Sequence, residues 1–263
     1  MIISLVATCG KVKNTRSTRM NQDTSSLIIY EDPHIIVCRK PAGVPTQSSR
    51  IGTRDMVSLL KNHLADASSS KNKNIKSGQT KEPYLAVIHR LDQPVEGLLV
   101  FAKTPAAARE LSRQLTGSGF GKYYLAAVRG IPVPPETDLE NHLVKDGRAN
   151  TSRVCQPDTP GAKPARLHYR TLDTYPDAGT PYSVVEIHLD TGRHHQIRVQ
   201  MAHHGFPLLG DRKYGEDPHY GSLSGTPLPK TLCLFAYRLD LCHPSTGKEM
   251  HFELPAPRWD SLI

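Results

Sequence analysis

The feature that most restricts this chain is the spacing of its short apolar runs. Arg166–Thr171, Tyr182–Leu189 and Thr231–Cys242 alternate apolar and polar residues, the two-residue period of a strand. In the second run Val185, Ile187 and Leu189 share one face. The third turns at Pro244-Ser245-Thr246-Gly247 and returns through Met250, Phe252 and Leu254, which reads as a hairpin. Leu27–Tyr30 and Ile35–Cys38, around Glu31-Asp32-Pro33, read as another. Tyr84–Ile88, Leu98–Ala102 and Lys122–Arg129 complete the predicted strands. Helical spacing occurs in three places. Met56, Leu60 and Leu64 follow Thr53 as a candidate N-cap. Ala107, Leu111 and Leu115 follow Thr104-Pro105 and stop at Gly117. Gln196–His204 stops at Gly205 and Pro207. Strands outnumber helices without regular β-α-β alternation, so the pattern predicts a mixed, largely antiparallel α+β fold.

Three stretches lack such a pattern. Residues 1–26 are expected to form a disordered basic N-terminal segment, with Met20 a candidate true start just before patterned sequence begins. Residues 66–83, rich in Ser, Lys and Asn, read as a flexible insert. Residues 131–165 read mostly as turns. The core between residues 27 and 263 is taken as one domain, because 27–65 alone are too few to bury a core.

The formal charge is +8. Residues 1–81 hold 13 Lys+Arg against 5 Asp+Glu, while residues 82–263 hold 20 of each. The positive excess is therefore N-terminal, where it can attract a nucleic acid or simply solvate a surface. Five widely spaced cysteines form no C-x-x-C pair, which suits reduced thiols and a cytoplasmic setting. The apolar run Ile2–Cys9 has its basic residues after it, opposite to a signal peptide. No apolar stretch approaches membrane-spanning length.

Four constellations could carry chemistry. His89-Arg90-Leu91-Asp92 precedes a Pro-Gly turn and an apolar run. A cation beside a carboxylate favours its ionised form and suits a nucleophile or base; the plain alternative is an exposed ion pair. In Asp190-Thr191-Gly192-Arg193-His194-His195-Gln196-Ile197-Arg198 many donors enter a helix, as a phosphate or base edge requires, or as a solvated turn would show. Lys122-Tyr123-Tyr124 must send one tyrosine to each side of a strand. Gly210-Asp211-Arg212-Lys213-Tyr214-Gly215 is a turn with two cations and an aromatic. Other signals fail: H-E-x-x-H is absent, no Cys or Glu accompanies the His pairs at ligand spacing, and neither a P-loop nor G-x-S-x-G occurs.

In this order the blocks resemble the RluA-type RNA pseudouridine synthases. The first is Tyr30-Glu31-Asp32, Ile36-Val37 and Lys40-Pro41-Ala42-Gly43-Val44-Pro45. The second is His89-Arg90-Leu91-Asp92 with Gly97–Lys103. The others are Lys122-Tyr123-Tyr124 with Gly130, Leu189 through Arg198, and Gly210-Asp211 with Tyr214-Gly215. The resemblance runs from about Leu27 to Pro255 and implies a bent, mostly antiparallel sheet with flanking helices and a central catalytic cleft. It implies that Asp92 is the catalytic aspartate, Tyr124 the active-site tyrosine and Arg198 the partner of Asp92. His89, Arg90, Arg193, His195 and Gln196 would meet the RNA. It implies no organic cofactor and no metal, and a ribosomal or transfer RNA as partner. The chain departs from the common pattern at Pro94-Val95-Glu96-Gly97, where many members carry Thr-Ser-Gly. It departs again at Gln200, where His is common, and both changes are expected to tune substrate choice. A non-catalytic RNA-binding protein on the same fold, or a base-excising glycosidase, remains the alternative.

Overall fold

A computed structural model describes residues 4–6, 24–50, 52–71, 82–117, 119–176, 181–215, 229, 231–257 and 259. The chain groups into two compact units, Met1–Phe120 with Leu239–Leu254, and Gly121–Arg238 with Pro255–Ile263.

The first unit begins with β1 (Ser4–Val6), a 3-10 turn at Thr24–Leu27, β2 (Ile28–Glu31) and β3 (Ile35–Lys40). These are followed by α1 (Met56–Lys71), β4 (Ala86–Val87), β5 (Glu96–Ala102) and α2 (Pro105–Thr116). As predicted, β2 and β3 form an antiparallel hairpin, and β3 pairs in turn with β5. Ile35, Ile36, Val37 and Cys38 are wholly buried, as are Leu99, Val100 and Phe101. These near-continuous apolar runs belong to strands covered on both faces. Thr104 caps α2 as expected, its hydroxyl accepting from Ala107 N at 3.1 Å, and Gly117 ends the helix.

The second unit holds β6 (Phe120–Arg129, its first residue in the first unit), β7 (Glu136–Asp146), β8 (Thr151–Cys155), β9 (Lys163–Tyr175), β10 (Tyr182–Leu189) and α3 (Gln196–His203). The strands pair antiparallel in the order β6-β10-β9-β7-β8. Tyr124, Ala126, Val185, Ile187, Leu167 and Tyr169 are buried. The other side of β7, β9 and β10 carries charge: Asp138 opposes His168, and Glu140 opposes Arg166. β11 (Leu234–Cys242) crosses from the second unit into the first, where β12 (Glu249–Glu253) closes the expected hairpin.

Two expectations need correction, the turns at 131–165 and the N-cap of α1, and two further stretches contain described elements. Residues 131–165 are largely strand, not turn: β7, β8 and the start of β9 lie there. β7 buries only Leu139 and Leu143, so its apolar signal is sparse, while its acids face Arg166 and His168 across the ladder to β9. α1 runs through Lys71, into the stretch read as a flexible insert. Once Met56, Leu60 and Leu64 are buried, adding a residue costs little beyond the nucleus. Residues 72–81 lie outside the described residues. The N-cap of α1 is Asp55 rather than Thr53: Asp55 Oδ1 accepts from Ser58 N at 2.7 Å, and Ser58 Oγ accepts from Asp55 N at 3.1 Å, a reciprocal box. Within residues 1–26, Ser4–Val6 pair in parallel with β12 and Thr24–Leu27 form the 3-10 turn. Residues 1–3 and 7–23, Met20 among them, lie outside the described residues.

Candidate active site

In the first unit the motif of interest is a loop between β4 and β5, tied down at several atoms. The hydroxyl of buried Thr46 donates to Leu91 O at 3.1 Å and accepts from Leu91 N at 3.2 Å. Gly43 N donates to Gln93 O at 2.8 Å, and Gln93 Nε2 returns a bond to Gly43 O at 3.0 Å. Val95 N closes a turn onto Asp92 O at 3.0 Å. Beneath the loop Lys40 is wholly buried, and its ammonium donates to Pro41 O, Val44 O and Gln93 O at 3.0, 2.7 and 3.1 Å. Burial pushes Lys40 down to about 8, against the upward pull of the Glu96 and Asp92 carboxylates. Asp92 itself is half-buried.

The neighbours of Asp92 in sequence do different work. Arg90 is exposed and, among the described residues, forms no ion pair. The simple surface-pair reading of Arg90 and Asp92 is therefore excluded. His89 packs edge-on against Phe120, ring centroids 5.4 Å apart, and its Nε2 accepts a long bond from Val100 N at 3.4 Å. The cation within electrostatic reach of Asp92 that sequence reading missed is Lys40. It was visible only as part of Lys40-Pro41-Ala42-Gly43, which reads as a breaker-rich loop.

The second unit gathers five of the other named residues. Tyr124 is buried on β6, opposite Ile187 of β10. Arg193, His195, Gln196 and Arg198 come together where the turn after β10 enters α3. Gln196 spends its side chain on that turn: Oε1 accepts from Thr191 Oγ1 at 2.8 Å and Arg193 N at 2.9 Å, and Nε2 donates to Arg166 O at 3.0 Å. His195 precedes the helix at φ 55° and is buried, its Nδ1 2.8 Å from Tyr214 Oη. That hydroxyl also accepts from Ser152 N at 2.8 Å.

Arg198 is buried and bound in bidentate fashion. Its Nε and Nη2 donate to Asp211 Oδ2 and Oδ1, both at 2.7 Å. Lys213 N and Tyr214 N add bonds to Asp211 Oδ1 at 2.9 and 3.2 Å. Burial alone would raise the Asp211 carboxyl; the Arg198 guanidinium and the two N–H groups outweigh it and hold the group below the usual range. The Arg198 guanidinium also lies 5.1 Å from the Tyr214 ring centroid. Gly210 begins this turn at φ +73°, and a Cβ there would strike the carbonyl of Thr231, so only glycine fits. Asp211 and Tyr214 had a place in the sequence blocks but no role; the structure gives them one as the holders of Arg198 and His195. Gln200 likewise donates to Leu139 O, Asn141 Oδ1 and Ala165 O at 3.1, 2.8 and 3.3 Å, tying α3 to β7 and β9.

Among the described residues no three of His, Cys, Asp and Glu cluster as metal ligands, and no helix is long and apolar enough to cross a membrane. Asp92 belongs to the first unit, Tyr124 and Arg198 to the second.

Comparison with solved structures defines the class. Human RNA pseudouridylate synthase domain containing 4 superposes with a TM-score of 0.68 over 90% of this chain and 92% of its own, at 22% identity. Human RNA pseudouridylate synthase domain containing 1 does so at 0.67 over 93% and 89%, at 25% identity. The fold is that of the pseudouridine synthases. The sequence is more specific: the RNA pseudouridylate synthase model matches residues 34–203. A ribosomal large subunit pseudouridine synthase D of Nitrosomonas europaea is 35% identical over 239 residues, 88% of this chain and 62% of the relative. One of Pseudomonas aeruginosa is 33% identical over 245 residues, 90% and 70%. The chain thus belongs to the RNA pseudouridylate synthase family, within its RluA-type branch. It spans between about three-fifths and 70% of the length of these two relatives.

Proposed function

We propose that this chain isomerises uridine in RNA to pseudouridine, with Asp92 as the nucleophile, after the target base has left its stack. The observation that carries the reading is the family match across residues 34–203, which contains Asp92, Tyr124 and Arg198. The Asp92 loop supports it: its backbone is pinned by Thr46 and Lys40 while the carboxylate stays half-buried, as a nucleophile that must meet a substrate requires.

In the reaction N1–C1′ breaks, the uracil turns, C5 bonds to C1′, C5 loses a proton and N1 gains one. Flipping the base costs a few kcal/mol, offset by phosphate contacts and by stacking on an aromatic ring. Asp92 attacks C1′ with oxocarbenium character, attacks C6 of the uracil, or assists elimination to a glycal. Tyr124 is assigned the rearranging base, where its hydroxyl helps to move the C5 proton. Arg198 is assigned the orientation of the Asp92 carboxylate. His89, Arg90, Arg193, His195 and Gln196 are assigned to the RNA and to the loops that hold it. The substrate proposed is ribosomal RNA, because the Nitrosomonas and Pseudomonas relatives are ribosomal large subunit synthases.

The test is a pseudouridine map of total RNA from cells with and without the protein, repeated with Asp92→Asn. Loss of one or a few ribosomal pseudouridines, unrestored by Asp92→Asn, is expected. Full restoration by that variant would remove Asp92 from the chemistry and favour a non-catalytic RNA-binding role. Release of free uracil would instead identify a glycosidase.

A further inference from the structure

Lys122 is the other buried lysine of the molecule's catalytic blocks, and it differs from Lys40. It lies on β6 two residues before Tyr124, so the two side chains leave the same face of the strand. It is 7% exposed. Lys40 satisfies its ammonium with three carbonyls; Lys122 donates no hydrogen bond to any described residue. The stem is buried, while the ammonium at its end still reaches solvent.

Its surroundings indicate what is missing. The carboxylate within electrostatic reach is Asp190, and the nearby cation is Arg193. Asp190 is already engaged: its Oδ2 meets Arg166 Nε at 3.0 Å, and its Oδ1 faces His188 Nδ1 at 3.4 Å. The carboxylate near Lys122 is therefore already used by Arg166 and His188, and Arg193 adds a second positive charge beside the lysine. Gly192, the chain neighbour of Arg193, is exposed and without a side chain. A Cβ there would lie 3.8 Å from Lys122 Nζ. The ammonium meets solvent beside this bare backbone. Arg193 is anchored nearby, its Nε donating to Pro164 O at 2.8 Å, which leaves the terminal nitrogens of its guanidinium to project further.

We propose that Lys122 and Arg193 form a binding site for one phosphate of the RNA backbone next to the target uridine, reached across the bare Gly192. The ligand class rests on the uridine-isomerising reading; the place of the site rests on the geometry. A phosphate oxygen supplies the acceptor that Lys122 lacks and the negative charge that the turn lacks. Burial pushes Lys122 down to about 8, with Asp190 pulling it up and Arg193 pushing it down; an arriving phosphate holds it charged.

The test pairs protein variants with a short oligouridylate and with copies carrying a single uncharged methylphosphonate, moved along the backbone one position at a time. Lys122→Met is expected to weaken binding of the all-phosphodiester oligomer about tenfold and to reduce the salt slope by about one. One methylphosphonate position should weaken wild-type binding to a similar extent and leave the Lys122→Met variant unchanged, the coupling expected of a direct contact. Lys122→Arg should retain most of the affinity. Gly192→Leu, which covers the opening and leaves the lysine in place, should lose as much as Lys122→Met. Wild-type binding by Lys122→Met or by Gly192→Leu would overturn the proposal. So would a loss in Lys122→Met that adds equally to every methylphosphonate position. The RNA map described above is read independently: coupling without any pseudouridine would remove the proposed function and leave the phosphate site standing.

Discussion

Two aspartates show how differently the two units prepare a charged group. Asp92 sits half-buried on a loop whose backbone is bonded from below by Thr46 and Lys40. Asp211 is buried, and both of its oxygens are committed to Arg198 and to backbone N–H groups. The first unit fixes the backbone beneath its carboxylate; the second fixes the carboxylate itself and uses it to hold a guanidinium. One carboxylate should matter to rate and hardly to folding, the other to folding first.

The largest expected effect breaks the pair apart. Asp92→Asn should lower pseudouridine formation by about a thousandfold or more, with stability within about 0.5 kcal/mol of wild type. Asp211→Ala should destabilise the protein by about 3–5 kcal/mol, because it strands a buried guanidinium. Urea midpoints and single-turnover rates on the same preparations decide it. If Asp92→Asn unfolds the protein, or Asp211→Ala leaves the midpoint in place, the contrast is wrong.

Lys40 sharpens the comparison. Replacing it with Met removes one hydrogen bond to the Asp92 loop and two to the 41–44 turn, but also releases the cost of a buried ammonium, so the net stability change should stay within about 1 kcal/mol. Loop position has no such compensation, and turnover should fall about tenfold to a hundredfold. A large loss of stability with an unchanged rate would show that Thr46 alone holds the loop.

The pH dependence follows with a definite sign. Lys40 and Lys122 are each pushed down to about 8 in the fold, whereas an unfolded lysine titrates near 10.4. Between those values the unfolded chain binds more protons, so this contribution to stability increases as pH rises from about 8. Lys40→Met should lose its share of that rise in urea unfolding between about pH 8 and 10. The sign is opposite at the acid end. Asp211 is held below the unfolded carboxylate value, so its contribution is present above about 3.9 and is lost as pH falls through the lower folded value.

Much of this was legible in the residues, for reasons that differ by element. β10 and α2 carry their own signals: Val185, Ile187 and Leu189 alternate, and Thr104-Pro105 opens a helix that Gly117 ends. β7 does not, since Leu139 and Leu143 are its only buried apolar side chains and its acids find their partners on β9. Asp92, Tyr124 and Arg198 stood out through a family resemblance spread over several blocks. Lys40 and Asp211 did not, because their importance lies in contacts made by folding: Lys40 reaches Gln93, and Asp211 reaches back to Arg198. No spacing within a single motif encodes either contact.

The smallest effect concerns charge that neither aspartate needs. Residues 72–81 carry Lys73, Lys76 and Lys81, part of the N-terminal excess that first suggested a nucleic-acid partner. If these lysines only hold RNA nearby, each neutralises at most one phosphate. Deleting the segment should then flatten the salt slope by at most about two and weaken binding less than tenfold near physiological salt. The single-turnover rate on bound RNA should not change. A fall in that rate would mean that the segment orders the substrate rather than merely attracting it. An unchanged slope would mean that its lysines are solvated surface, and the affinity would then rest on cations built into the two units, with Lys122 and Arg193 the first to examine.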